Sequence, residues 1–416
     1  MTRTEFSLPM NWLLTIAIAV LLTGSAWAID QDRTIYLFQG GADGDSPQAG
    51  LIADHAGNLY GTTMFGGNGC GTLFELASTD GNRTWTESVL YSFQCDSNDG
   101  SQPQGSLVFD SAGNLYGTTS IYGTSSQGAV FELSPPAQQG GAWTESIIYQ
   151  FSDYNGGFFP VSLIIDGQGN LYGEDPGSIE TNGNVFELSP PAVQGGAWTY
   201  NMLYAFKGVP RHDGNGPAGG LAMGKSGNLY GTTILGGPGS GCNGAGCGTV
   251  FQLLHPTAKH TAWVERVLYA FTGNADGATP QGGVTFDKKG NLYGTTAIGG
   301  TGGGTVFEVS PASGGTWVET VIHAFDSYKE GYGPVTGVVL DKTGNVFGTT
   351  FYSDVFELSP PSEQGGSWTE NILYNFKDEG PSTPLLSKWD GGLYGTIQGD
   401  GYGNGQYGLV FKVFLP

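Results

Sequence analysis

Glu174, Asp175, Arg211, His212 and Asp213 carry the side chains for acid–base or ligand chemistry, at the place where an otherwise regular chain departs from its own pattern. Paired carboxyls beside an imidazole can exchange protons with a substrate, provided that the fold brings them together. A second set is acidic and recurrent. Asp43, Asp99, Asp213, Asp276 and Glu330 each open an acid-Gly-x-x-Pro turn, and Asn155 and Glu379 fill that slot with looser spacing. Turn chemistry accounts for such an acid, because Asp accepts a backbone hydrogen bond ahead of a positive-φ Gly. Ringed around one mouth of a channel, the carboxylates of Asp43, Asp99, Asp276 and Glu330 would also attract Ca²⁺ through oxygen ligands. Tyr154, Phe158 and Phe159 offer aromatic faces for ligand stacking if they are exposed, and loop packing if they are buried.

Catalytic motifs are sparse. Neither H-E-x-x-H nor G-x-S-x-G occurs. Gly239 to Gly244 satisfies G-x-G-x-x-G, but between two strands there is no helix to receive a pyrophosphate. No motif requires a cofactor. His55, His255, His260 and His323 are scattered, with His323 in a slot that otherwise holds Tyr.

The element that must position these residues is a repeat. Gly57-Asn58-Leu59-Tyr60-Gly61-Thr62-Thr63 recurs with variations at Gly113, Gly169, Gly227, Gly290, Gly344 and Gly391. A period of roughly 55 residues marks a repeat architecture. In residues 105–151 the unit reads as four strands. Strand a covers 105–110, and a tight Asp110-to-Asn114 turn leads to strand b at 114–119. Strand c covers 129–133 and is stopped by Pro135-Pro136, and strand d covers 143–151. Leu115 beside Tyr116 makes strand b apolar on both faces, as a sheet covered on both sides requires. Strand a opens on a small residue in most copies (Gly50, Gly105, Ser162, Gly220, Gly283, Gly337), as expected where inner strands crowd a channel.

The two ends of the chain complement each other. Residues 34–38 match the end of strand d, and residues 409–413 match strand c. Pairing them closes a ring and leaves no sheet edge. The expected fold is therefore all-β: a seven-bladed β-propeller over residues 29–416, with four antiparallel strands per blade. In that architecture the d-to-a and b-to-c loops share a face, so Glu174, Asp175, Arg211, His212 and Asp213 could converge there. The strand-d tryptophans (Trp85, Trp143, Trp198, Trp263, Trp317, Trp368) are expected to pack between outer strands. Glu87, Glu145, Glu265, Glu319 and Glu370 lie two residues on, and a solvated rim is expected of them.

Residues 1–28 read as a signal peptide: Arg3, an apolar run from Trp12 to Leu22, and Ala26-Trp27-Ala28 as a cleavage site. That run is too short to span a bilayer, and no transmembrane span is expected in the mature chain. Export and an even cysteine count favour disulfides, with Cys70–Cys95 and Cys242–Cys247 as the expected pairs. A net charge of −22 argues against nucleic-acid and anionic-membrane partners.

With the unit written as D-x-x-G-N-L-Y-G-T-T, G-T-V-F-E-L-S-P and W-T-E-x-V-L-Y-S-F, the chain resembles the GloVer tandem-repeat family of exported bacterial proteins over residues 34–413. Members of that family often carry a C-terminal surface-sorting segment, whereas this sequence ends at Pro416, directly after strand c. The resemblance implies no activity for any residue. The expectation is a secreted, periplasmic or cell-surface, monomeric binding module that recognises an extracellular glycan, a protein or a cation at its loop face. The alternatives are a polysaccharide hydrolase or lyase using Glu174, Asp175 or Asp213, and a structural cell-surface component.

Overall fold

The computed structural model describes residues 32–415 apart from 82–83, 97–98, 123–126, 139, 152–160, 178–180, 194, 239–240, 327–332, 352–353, 364, 377–382 and 400–406. Tyr154, Phe158, Phe159, Asn155, Glu330, Glu379 and the leader segment lie outside the described residues. The described residues form seven antiparallel sheets, with no helix beyond short 3₁₀ turns. In blade 1, strands a to d are Ile52–Ala53, Leu59–Thr63, Thr72–Ala77 and Thr86–Ser92, paired in that order. Strand b recurs as Leu115–Tyr122, Leu171–Asp175, Leu229–Gly236, Leu292–Thr296, Val346–Thr349 and Gly392–Ile397. Strand d recurs as Thr144–Gln150, Thr199–Ala205, Val264–Ala270, Trp317–Ala324 and Thr369–Asn375.

The seventh blade takes its strand d from the front of the chain. Asp32–Leu37 pairs antiparallel with Leu409–Phe414, setting Asp32 opposite Val413 and Leu37 opposite Leu409. The Phe38 N–H donates to the Gly408 carbonyl at 3.0 Å, extending the seam by one residue. The ring is thus a seven-bladed propeller closed by its own ends.

The repeated phrase has a packing cause. A Cβ on Gly61 would sit 2.6 Å from the Phe74 ring, and its six counterparts meet the strand-c Phe in the same way. Only glycine lets that ring cross strand b. In the a–b turn, Asp54 accepts from the Asn58 backbone and side-chain amides, both at 2.9 Å, while Gly57 takes φ 92°.

Strand a is shorter than the sequence suggests. Of residues 105–110, only Val108 and Phe109 pair with strand b. The glycine ahead of them runs against the neighbouring blade, where a Cβ on Gly105 would lie 2.4 Å from the Val161 carbonyl oxygen. Instead, the lead-in turns of blades 2 and 4 form extra short strands, Gly100–Pro103 and Gly214–Pro217, against lengthened b strands.

The core lies between blades, in seven apolar clusters, one per seam. Between blades 1 and 2, for example, Tyr60, Leu73 and Phe93 meet Leu107, Leu115 and Phe131. Burying one such Phe stabilises the seam by up to about 3 kcal/mol. Every c–d pair also carries a bulge. In blade 1, Phe74 opposes Val89 while Leu73 opposes Tyr91, so Leu90 is left over. The extra residue reverses the alternation of strand d. Trp85 and Glu87 then face the preceding blade, and Tyr91 and Phe93 face the following one. Consistent with this, Trp85 meets Tyr394 of blade 7 edge-on, and Phe93 meets Phe131 of blade 2.

Candidate functional site

Because the bulge turns the end of strand d toward the next blade, four of the seams bring three polar groups together at the outer edge. At the seam of blades 1 and 2, Asp99 Oδ2 accepts from the Tyr91 hydroxyl at 2.9 Å and from the Gln94 N–H at 2.7 Å, and Glu145 of the next strand d faces them. Tyr36, Asp43 and Glu87 repeat the arrangement, as do Tyr204, Asp213 and Glu265, and Tyr269, Asp276 and Glu319. These glutamates are half-buried, not the solvated rim expected, because the strand-d face they share with Trp is pressed on the neighbouring blade. Burial first, and then the adjacent aspartate, pushes Glu87, Glu265 and Glu319 up to about 7 and Glu145 up to about 8. A carboxyl in that range can hold or release a proton at neutral pH.

One seam has more. Between blades 3 and 4, Tyr204, Lys207, Arg211, His212, Asp213 and Glu265 line a cavity of about 410 Å³. The 3₁₀ turn Val209–Arg211 leads into it, and His212 caps that turn in the left-handed region at φ 58°. Asp213 is nearly fully buried and saturated. Its Oδ2 accepts from the Tyr204 hydroxyl and the Lys207 N–H, both at 2.8 Å, and its Oδ1 accepts from the Gly214 N–H at 2.7 Å. Lys207, Arg211 and His212 are exposed around it. Glu265 is the proton-labile member, held near 7 by burial and Asp213, with Lys207 pulling the other way.

The five residues singled out in the sequence are therefore divided. Arg211, His212 and Asp213 share this cavity, while Glu174 and Asp175 are fully buried within strand b of blade 3 and do not line it. The phase of the strand decides this. Glu174 stands where the other blades place a Thr, which in blades 4 and 5 reaches the next blade's lead-in segment. Thr232 donates to Gly282 O at 3.0 Å, and Thr295 donates to Thr336 O at 2.7 Å. Glu174 Oε2 instead accepts the Gly220 N–H at 2.7 Å. Its Oε1 is buried with no hydrogen-bond partner, and burial pushes the carboxyl up to about 8. Asp175 replaces one of a cross-strand Thr pair and accepts from Asn184 Nδ2 and the Gly177 N–H, each at 2.9 Å.

Asp43, Asp99 and Asp276 sit at separate seams, each bonded to a tyrosine hydroxyl and a backbone N–H. Among the described residues, no three His, Cys, Asp or Glu side chains converge to hold a metal ion. Cys70 bonds to Cys95, tying the b–c loop of blade 1 to the turn into blade 2, and Cys242 bonds to Cys247 inside the b–c loop of blade 4.

Tyr204, Lys207 and Glu265 were missed as site members. Their sequence signal is the recurrence of Tyr-x-Phe seven to nine residues ahead of the turn acid.

The Gloeobacter/Verrucomicrobia repeat matches residues 24–178 and 139–357, most of the chain, and the protein belongs to that family. No curated protein sequence matches it. Solved structures of similar fold include a gluconolactonase from Xanthomonas campestris, 15% identical, covering 77% of this chain and 86% of its own, at a TM-score of 0.41. A luciferin-regenerating enzyme is 14% identical, covering 75% of this chain and 91% of its own, at a TM-score of 0.44. Among the described residues, no helix is long and apolar enough to cross a membrane.

Proposed function

We propose that this member of the Gloeobacter/Verrucomicrobia repeat family is an exported binding module that holds an anionic group of an extracellular ligand at the seam of blades 3 and 4. One observation carries the reading: of the four seams with the Tyr–Asp–Glu arrangement, this one is surrounded by three exposed bases, Lys207, Arg211 and His212. In a chain of net charge −22, a local cluster of bases selects the charge of what binds there. Arg211 can grip a carboxylate or sulfate with two N–H donors, and Glu265 can exchange a hydrogen bond with a neighbouring hydroxyl. Export is supported by the two disulfides, which persist in oxidising compartments, and by the leader-like residues 1–28.

A glycan array read with the intact chain and with Arg211→Ala/His212→Ala tests the site. The expected result is about tenfold weaker binding in the double variant, since the loss of a charge-assisted contact is worth at least 1.4 kcal/mol. A ligand bound equally by both proteins rejects the site.

A polysaccharide-cleaving enzyme is the second reading, favoured by Glu265, whose carboxyl lies near 7 beside Asp213. It ranks second because the same shift recurs at Glu87 and Glu319, and because the oxygens of Asp213 already receive three donors. Any product formation that survives Glu265→Gln removes this reading.

A further inference from the structure

The opposite face of the ring, formed by the a–b turns and c–d loops, has an asymmetry of its own. The two residues between the first position of each a–b turn and its Gly are His55-Ala56, Ser111-Ala112 and Gly167-Gln168 in blades 1 to 3. In blades 4 to 6 they are Lys225-Ser226, Lys288-Lys289 and Lys342-Thr343, and blade 7 places Trp389-Asp390 there. Four of the chain's 15 bases thus occupy tips of adjacent turns, and Trp389 is 78% exposed beside them.

The tips of blades 5, 6 and 7, without Lys225 of blade 4, border a groove of about 1100 Å³. Lys288, Lys289, Lys342 and Trp389 form its inner edge, Pro360, Pro361 and Gly365 of a c–d loop form its outer edge, and Trp368 lies along it. The groove is continuous because neighbouring turns touch: Lys288 Nζ donates to the Lys342 carbonyl at 3.2 Å. The carboxylates nearest the lysines are already occupied. Asp287 accepts from the Lys289 and Asn291 N–H groups and from Asn291 Nδ2, and Asp341 accepts from Thr343, Gly344 and Asn345. Glu308, half-buried in the groove, accepts from Ser310 Oγ at 2.7 Å, and Glu363, on the outer loop, is the exposed acid across it. Lys388 also lines the groove, but it is buried and donates to the Gly57 carbonyl at 2.7 Å, which ties blade 7 to blade 1.

We infer that this groove binds an acidic polysaccharide, a chain of sugars bearing carboxylates. An elongated groove suits a polymer, the open indole of Trp389 suits the apolar face of a sugar ring, and lysines at blade-to-blade intervals suit periodic carboxylates. The groove lies on the face away from the blade 3–4 cavity, and its ligand class follows from different residues.

The test measures binding of the intact chain to polygalacturonate, with a neutral glucan and poly-glutamate as comparison polymers. Polygalacturonate should bind, weaken with added salt as exposed charge pairs do, and bind about tenfold more weakly to Lys289→Glu/Lys342→Glu. Trp389→Ala should produce a loss of similar size that salt does not explain. All three residues are exposed, and thermal melts matching the parent would establish that the fold is intact. The inference is overturned by no binding to polygalacturonate, by poly-glutamate binding as tightly, by the glucan binding as tightly, or by either variant binding like the parent. A loss of polygalacturonate binding confined to Arg211→Ala, with the two lysine substitutions silent, would place the polymer at the blade 3–4 cavity and overturn the inference.

Discussion

Near the axis and at the outer seams, this protein carries glutamates with the same upward push on the carboxyl and different reasons for being there. Glu87, Glu145, Glu265 and Glu319 occupy one slot of the repeat and share one set of neighbours. Glu174 occurs once, in a slot that is Thr in the other six blades; like the four seam glutamates it keeps one buried oxygen without a partner, but it alone is fully buried. Recurrence marks the seam acids as architecture: each needs a neighbouring blade to bury it, so each is tied to how blades join. The axis acid is a local exception whose cost nothing nearby offsets beyond the Gly220 N–H. If that contrast is right, neutralising the two kinds of glutamate should give effects of different size, and removing a seam aspartate should act in the opposite direction.

The largest effect is expected at Glu174. Its carboxyl lies at about 8 in the folded chain against 4.5 when exposed. The folded form therefore keeps its proton over a range where the unfolded chain has released it. Stability is full below 4.5, falls as pH rises, and has lost its whole increment near 8. Glu174→Gln keeps an acceptor for Gly220 and should stabilise the protein by about 3 kcal/mol at pH 7, with little change at pH 4. Denaturant titrations at the two pH values check this, and equal stability of variant and parent at pH 7 would break the contrast.

Within one seam the signs should split. Asp99→Ala strips the Tyr91 hydroxyl and the Gln94 N–H of their acceptor and should cost about 2 kcal/mol. Glu145→Gln removes a carboxyl that burial and Asp99 hold at about 8, and should stabilise the chain at pH 7. Solvent reaches this group, so screening reduces the gain to about 1 kcal/mol. Two variants of the same sign would mean that the pair acts as a single shared-proton unit rather than as an anchor with a neighbour pressed against it.

Much of this was legible before any coordinates. The six copies of the Leu-Tyr-Gly phrase with its Val346-Phe347-Gly348 variant, the matching ends and the cysteine spacing foretold the blade count, the closing strand and both disulfides. What stayed hidden was a parity error. Read with strict alternation, Trp85, Glu87, Val89, Tyr91 and Phe93 share one face, which leaves Glu87 at an outer rim. The bulge at Leu90 reverses the strand halfway, so Tyr91 faces the next blade and Glu87 the previous one. Glu174 and Asp175 depart from the loop-face expectation for a related reason: a break in sequence symmetry does not imply exposure, because strand b is covered on both faces and buries whatever it carries. The lysine turns were visible throughout, but only the groove shows that adjacent tips form one edge.

The smallest effect should come from the seam that breaks the rule without charge. Between blades 2 and 3 the glutamate slot is Tyr200, stacked on Tyr149 with ring centroids 4.7 Å apart and planes within 9°. Its hydroxyl reaches Asn184 Oδ1 at 3.4 Å, too long to add much. Here two rings do the covering that an Asp–Glu pair does elsewhere, and no proton is involved in the seam contact itself. Tyr200→Leu keeps most of the apolar area and loses the stack, so the expected cost is about 0.5 kcal/mol. That cost should be the same at pH 5 and pH 8, whereas the Glu145→Gln increment should grow between them. A Tyr200→Leu penalty that changes with pH would mean that this seam also harbours a titrating group, and the division between charged and aromatic seams would have to be redrawn.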